Sequence, residues 1–393
     1  MDGRKLNERI IKKVVRPEQY GIKALIFLMC TMVIAVFLLV PLEQNTREIE
    51  LNWRLARDVK KFGRNETILM WVNFFGEHFG QELFDFCPQL SCHITYDRAS
   101  IDKSSAVVFH DRNVNVSDLP ETRLSHQHFV FFLLESPYHV STIAFKNLSS
   151  GFYTLTMTYR SDSDVHVPYG FFKQKVKPPP STFWEDLREQ VAMKRKLVAW
   201  FVSNCATPSK REAYVHVLRQ YIEVDEYGLC ARNKRCARNS RECLSRVIKP
   251  NYKFYIAFEN SVCTEYITEK YFDRLNDLVI PIVFGRKIYE TAVLNNSFIA
   301  VDDFDGPKAL ADYLIYLDRN TDAYLQYFKW MQHYDVMGAR YRYANGFCKL
   351  CQLLHNKESN LTVAVSQTAK DVMSWYSKPG TCHDSYGYDV HKL

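Results

Sequence analysis

Apolar positions along this chain fall into two rhythms. Between residues 65 and 174, short apolar runs stand among polar turns, at Thr67–Phe75, Ser105–His110, His128–Leu134 and Phe152–Tyr159. Runs of that length, rich in Val, Ile, Phe and Tyr, predict strands. From residue 186 onward, strand and helix patterns alternate. Leu197–Ser203 predicts a strand, and Lys210–Ile222 a helix with Tyr214, Val217, Leu218 and Tyr221 on one stripe. Phe254–Phe258 and Val279–Phe284 read as buried strands on either side of a helix at Glu265–Leu278. A strand at Phe298–Val301 and a helix at Lys308–Leu317 follow. Strands separated by helices of this length imply right-handed crossovers and a parallel sheet. Lys175–Pro180, KVKPPP, interrupts the pattern, because three successive prolines favour stiff polyproline II and exclude helix and central strand. The fold class is therefore α/β. One unit covers 65–174, a proline-rich linker 175–185, a second unit 186–355 and a tail 356–393.

One apolar run fits neither rhythm. Ala24–Leu42, ALIFLMCTMVIAVFLLVPL, holds no charge and is close to the roughly 20 residues a bilayer-spanning helix needs. A cleaved signal peptide would have a shorter apolar core and a small-residue cleavage site, and this run ends at Pro41-Leu42-Glu43 without one. Met1–Lys23 carries seven Lys/Arg against three acidic residues, whereas Glu43, Glu48 and Glu50 follow the run. By the positive-inside rule, 1–23 is a cytosolic tail, 24–42 a transmembrane signal-anchor and 43–64 a lumenal stem. Asn-x-Ser/Thr sequons at Asn65, Asn115, Asn147, Asn295 and Asn360 suit that topology, as does a count of 11 cysteines with only Cys30 inside the span. The net charge of +7 lies mostly in the tail, and no arginine-rich stripe exists, which argues against nucleic-acid binding.

Candidate chemistry concentrates in Phe254–Lys270, FYIAFENSVCTEYITEK. A strand pattern breaks at Asn260-Ser261 and gives way to a helix pattern in which Tyr266, Glu269 and Lys270 stand at i, i+3 and i+4. A strand end, small polar residues and a helix N-terminus together suit a phosphate-bearing ligand such as a nucleotide or nucleotide-sugar. Neither GxGxxG nor GxxxxGK(S/T) is present, so a dinucleotide enzyme and a P-loop kinase are disfavoured. Asp162-Ser163-Asp164 and Asp303-Phe304-Asp305 are DxD triplets of the kind that hold a divalent cation against a diphosphate, though such triplets are common in turns. Cys348-Lys349-Leu350-Cys351 alone fits a redox pair or half a zinc site.

FYIAFENS…YITEK resembles the signature of the α-1,3-fucosyltransferases, and VSNCATPSKREAY and TYRSDSDVHVPYG are similar to two further family blocks. The similarity runs from about Cys92 to Cys351. It implies two Rossmann-like domains of the GT-B type facing a cleft, with the acceptor on the first and GDP-fucose on the second. It further implies a single-pass type II Golgi membrane protein. The expected reaction is inverting transfer of L-fucose from GDP-fucose to a GlcNAc hydroxyl of a glycoprotein or oligosaccharide, in α-1,3 linkage. By matched position, Arg211 and Lys270 contact the diphosphate, Asn260, Tyr266 and Glu269 the nucleotide, and Glu135 in FVFFLLESP is the general base. Outside the resemblance, a glutamate leaving a strand is an ordinary turn residue. The DxD aspartates are then cleft-lining and structural, with no metal ligand set, no obligatory cofactor and room for stimulation by Mn or Mg.

The resemblance also ties Cys348 and Cys351 to Cys87 and Cys92, leaving Cys205, Cys230, Cys236, Cys243, Cys263 and Cys382 unassigned. Cys205 stands where many members have Trp, and Glu265 replaces a frequent Asp. GLCARNKRCARNSREC is similar to members that fucosylate the N-glycan core. A homodimer is compatible with the stem. Two rival readings follow from the same features: a metal-dependent transferase of another nucleotide-sugar, and a membrane-tethered glycan-binding pseudoenzyme.

Overall fold

Two parallel sheets organise the computed structural model, which describes residues 65–140, 148, 151–231, 241–356 and 372–390. The first sheet holds β1 (Glu66–Met70), β2 (Cys92–Thr95), β3 (Ala106–His110), β4 (His128–Leu133), β5 (Leu155–Thr158) and β6 (Val165–His166). Their spatial order is β2-β1-β3-β4-β5-β6, every pair parallel. All of AVVFH in β3 and Phe129–Leu133 of β4 are buried. Strands apolar on both faces need cover on both, which is the setting of parallel sheets.

The second sheet joins β8 (Lys196–Phe201), β9 (Val224–Tyr227), β10 (Tyr252–Ile256), β12 (Ile280–Val283) and β13 (Ile299–Ala300) in the order β13-β12-β10-β8-β9, again parallel. The helix Arg211–Leu218 lies on it, burying Tyr214, Val215 and Leu218 in a core with Val198, Trp200 and Phe258. Each sheet steps from its first strand to one side, then reverses and grows on the other. The crevice at such a reversal, beyond the strand C-termini, is where open α/β sheets bind ligands. In the second sheet the reversal falls between β8 and β10, whose exits lead to Arg211 and to Glu259–Lys270.

Two short antiparallel pairs complete the sheet structure: β7 (Phe171–Gln174) with β14 (Tyr334–Met337), and β11 (Val262–Cys263) with β15 (Cys382–His383). After β14 the helix Ala339–His355 packs on the turn Gln81–Phe86 and on β6. A side chain at Gly346 would lie 2.8 Å from Val167, so only glycine allows that approach. Disulfides Cys87–Cys348 and Cys92–Cys351 bind the helix there. Residues 339–355 thus follow the second sheet in sequence but pack with the first. Cys205–Cys230 and Cys263–Cys382 are also bonded.

Several sequence expectations change. A helix, Phe183–Ala192, begins inside the expected linker 175–185. The helix expected over Glu265–Leu278 shrinks to Glu269–Phe272 and a 3-10 turn at Leu275–Asp277. Glu265 takes φ +59°, and the Thr268 amide is captured by the Glu259 carboxylate at 2.8 Å, so local side-chain bonding displaces the first helical turn. β2, β9 and the helix Ala339–His355 lack a clear apolar period and escape sequence reading.

The expected tail, anchor and stem over 1–64 lie outside the described residues, as do Asn147 and Asn360. No helix among the described residues is long and apolar enough to cross a membrane. Asn65, Asn115 and Asn295 are exposed.

Candidate active site

Where β10 ends, Glu259 turns inward and becomes the hub of a charged cluster. Its carboxylate is 4% exposed, accepts from the amide and hydroxyl of Thr268 at 2.8 Å each, and meets the Lys270 ammonium at 2.9 Å. Lys270 also donates to Thr268 Oγ1 at 2.9 Å and to Glu269 at 3.1 Å. Burial raises the Glu259 pKa against the pull of Lys270. Burial alone would lower that of Lys270, but Glu259 and Glu269 outweigh it and keep the ammonium charged. Burial would likewise raise Glu269. Lys270, the Arg342 guanidinium and the helix amide hold it instead at about 2, ionised.

The other exit, after β8, delivers Arg211. Only 3% exposed, it donates to the carbonyls of Phe258 at 2.8 Å and Asn204 at 3.2 Å, which pins the guanidinium beside the end of β10. Burial lowers its pKa from the ordinary value, opposed first by the Glu259 carboxylate. Arg211 and Lys270, 59 positions apart in sequence, thus share one buried counter-charge. Arg211 Nε and Asn260 Oδ1 are buried without a hydrogen-bond partner among the described residues.

Across the seam, β4 ends in Leu134-Glu135-Ser136. Tyr169 bonds the Leu134 carbonyl at 2.6 Å and Tyr376 the Glu135 carbonyl at 2.5 Å, while Tyr266 reaches the Glu135 carboxylate at 3.4 Å. Ser136 bonds Ser261 at 2.8 Å, and His139 meets Asn260 at 3.1 Å. Burial lowers the His139 pKa, against the Glu135 charge. The C-terminal ends of β4 and β10 therefore face each other, with Glu135 on one side and the cations on the other. Tyr266 reaches this point from the turn before Thr268, and a shared helical face with Glu269 and Lys270 is not how the three meet.

Each DxD carboxylate has a protein partner, apart from exposed Asp305. Asp162 pairs with Arg160 at 2.7 Å and takes the Trp375 indole N–H at 2.9 Å, and Asp164 accepts from Thr156. Asp303 pairs with Arg286. Among the described residues, the one grouping with metal-ligand spacing is Cys92, Cys351 and His355, and its two thiols are already joined as a disulfide.

Residues 63–170 match the family model "Fucosyltransferase, N-terminal", and 191–375 match "Glycosyltransferase family 10 (fucosyltransferase) C-term". The chain belongs to the family 10 fucosyltransferases. Alpha-(1,3)-fucosyltransferase C of Drosophila melanogaster is 36% identical over 340 residues, 79% of this chain and 77% of that protein. Glycoprotein 3-alpha-L-fucosyltransferase A of the same fly is 33% identical over 83% of this chain, which spans 63% of its length. The rat 4-galactosyl-N-acetylglucosaminide 3-alpha-L-fucosyltransferase 9 is 35% identical over 75% of this chain and 79% of its own. A crystal structure of an alpha1,3-fucosyltransferase with GDP-fucose superposes with a TM-score of 0.48 at 18% identity, over 76% of this chain and 93% of that one.

The N-terminal family segment supplies Glu135, and the C-terminal one supplies Arg211, Asn260, Tyr266, Glu269 and Lys270. Sequence reading missed Glu259, His139, Arg342 and Tyr376. Glu259 ends an apolar strand as Glu135 does, and without a matched role such a glutamate reads as an ordinary turn residue. Arg342 was not visible either, because its helix reaches the site only through tertiary packing; its guanidinium lies 4.5 Å from the rings of Tyr169 and Tyr343.

Proposed function

We propose that this fucosyltransferase moves L-fucose from GDP-fucose to a GlcNAc hydroxyl of a glycoprotein glycan, in α-1,3 linkage and with inversion. The observation that carries this reading is the meeting of the Glu135 segment with the stretch that leads from Glu259 to Lys270, through Tyr266 to Glu135, Ser136 to Ser261 and Asn260 to His139. In the transfer, Glu135 takes the acceptor hydroxyl proton as that oxygen bonds the anomeric carbon. The bond to phosphate breaks on the opposite face, and GDP leaves with the electron pair. Charge growing on the diphosphate meets Arg211 and Lys270, already held in place by the protein, so little reorganisation is needed during the step. Asn260 and Tyr266 contact the donor, and Glu269, ionised, accepts from the ribose hydroxyls.

The two parallel sheets fit the GT-B arrangement, with the donor on the second and the acceptor on the first. No obligatory metal is invoked, since two cations at the diphosphate replace it, and Mn or Mg would act only as a stimulant. Anchoring by 24–42 in the Golgi membrane, a preference for the N-glycan core and dimerisation through the stem belong to the same proposal.

The test is Glu135→Gln in the full chain. Its expected result is unchanged GDP affinity by calorimetry with transfer reduced about 10²–10⁴-fold, the span of general-base contributions. Transfer at the wild-type rate would remove Glu135 from the mechanism.

A further inference from the structure

The family match ends at residue 375, yet residues 376–390 touch three of the segments that form the site: the β4 exit at Glu135, the stretch after Asn260 and the loop before Arg211. Tyr376 is fully buried and bonds the Glu135 carbonyl at 2.5 Å. Its ring packs on Phe131 of β4 at 5.4 Å and on Tyr159 at 6.1 Å. Just before it, the Trp375 carbonyl accepts from Arg160 at 3.0 Å, and the Arg160 guanidinium lies 4.6 Å from the Trp375 ring. Further on, β15 pairs with β11 and Cys382 is bonded to Cys263, placing the strap against the stretch between Asn260 and Tyr266. The amides of Ser385 and Gly387 then donate at 2.8 Å to the carbonyls of Pro208 and Ser209, in the loop that leads into Arg211. A Cβ at Gly387 would sit 2.2 Å from the Lys210 carbonyl, so this docking requires glycine there.

We propose that the segment 372–390 is a positioning strap for the general base, with Tyr376 as the residue that sets the Glu135 backbone. This rests on the reading of Glu135 as the base. A base must stand within hydrogen-bond reach of the acceptor hydroxyl, and small displacements of such a group lower the rate steeply. Glu135 leaves β4 into Ser136-Pro137, where no strand ladder holds it. Among the described residues its carboxylate has one hydrogen bond, the long 3.4 Å contact to Tyr266. The Tyr376 hydroxyl is thus the short bond that fixes where this residue's main chain lies. Tyr376 is a positioning residue, because it contacts the main chain of Glu135 and not the reacting atoms.

The experiment compares Tyr376→Phe, Glu135→Gln and the double variant in the full chain, reading kcat, KM for GDP-fucose, GDP affinity and Tm. Phenylalanine keeps the ring contacts and deletes one hydroxyl. The expected result for Tyr376→Phe is a kcat about 10-fold lower, matching about 1.4 kcal/mol for one lost hydrogen bond, with donor KM and GDP affinity within twofold of wild type. In the Glu135→Gln background the same change should leave the residual rate as it is, since there is no base left to position. An unchanged kcat in Tyr376→Phe overturns the proposal, as does an equal loss of kcat and GDP affinity, or a full 10-fold further loss in the double variant. If Glu135→Gln alone keeps wild-type turnover, the base reading fails first and for its own reason. A Cys263→Ala/Cys382→Ala variant checks the strap independently of Tyr376: it should reproduce the kcat loss at unchanged donor KM, and wild-type kcat in that variant also overturns the proposal.

Discussion

A double-mutant cycle on Glu259 and Lys270 tests what holds the charged cluster at the end of β10 together. Glu259→Gln keeps the shape but turns one oxygen into an N–H donor, aimed at groups that already donate: the Thr268 amide and hydroxyl, and the Lys270 ammonium. Losing one partner of a buried ion pair costs about 3–5 kcal/mol. Lys270 keeps 22% side-chain exposure and its contact to Glu269, so the lower end applies, about 3 kcal/mol for Glu259→Gln. Lys270→Met leaves the buried carboxylate with Thr268 and the nearby Arg211, and its raised pKa lets it take a proton, so about 2–3 kcal/mol is expected. With both changed the Lys270 ammonium is gone along with its carboxylate, and only the cost of leaving Arg211 without that counter-charge remains, as in the Glu259→Gln single. The pair should then lose about 3 kcal/mol rather than the sum, a coupling of about 2–3 kcal/mol. Thermal unfolding of the four proteins reads this as falls of roughly 3–5 °C in each single variant, with the double no lower than the worse single. Strict additivity of the Tm shifts would show that Glu259 and Lys270 do not stabilise each other and would undo the account of the cluster.

Acid should act through buried histidine. Burial holds His110 at about 4, opposed by its bond to Asn113, against about 6.5 in the unfolded chain, and His166 is likewise held at about 4. Between those values the unfolded chain binds protons that the fold refuses. Stability is therefore intact above pH 6.5 and falls toward pH 4, by about 1.4 kcal/mol per pH unit for each group. His110→Phe, placed among Phe74, Phe75 and Phe132, should flatten this limb in Tm measurements at pH 7, 6 and 5, and an unaltered slope would disprove the assignment. The disulfides Cys87–Cys348 and Cys92–Cys351 span 261 and 259 residues but lie side by side, so once one closes, the other closes only a ring of about nine residues. Chain-entropy arithmetic gives about 5–6 kcal/mol for the first and about 2.6 kcal/mol for the second. Replacing both cysteines of one pair should be mild and replacing all four severe, as read by denaturant unfolding; equal losses from each step would contradict the shared-loop argument.

Much of the second sheet and of the cations at its edge is legible in local sequence. β8, β10 and β12 are apolar on both faces, and a run such as FYIAF has few ways to fold other than as a central parallel strand. Arg211, Asn260 and Lys270 sit just past such strands, where an open α/β sheet places its ligands, so local pattern and topology point to one spot. The helix expected at Glu265–Leu278 shortens for a local reason with a distant cause. The apolar period is real, but a buried carboxylate takes the amide that a helical turn would use.

What the chain itself determined is the α/β class, the apolar run at 24–42 and the family, because each rests on residues adjacent in sequence or at a fixed period. Tertiary structure alone decided how Glu135, Glu259, Arg342 and Tyr376 come together. They come from four segments with no common period, and burial, disulfides and hydrogen bonds across the seam join them. Such contacts depend on where chain ends return in space, and nothing in a local stretch of sequence encodes the return of Tyr376 to Glu135 across 241 positions.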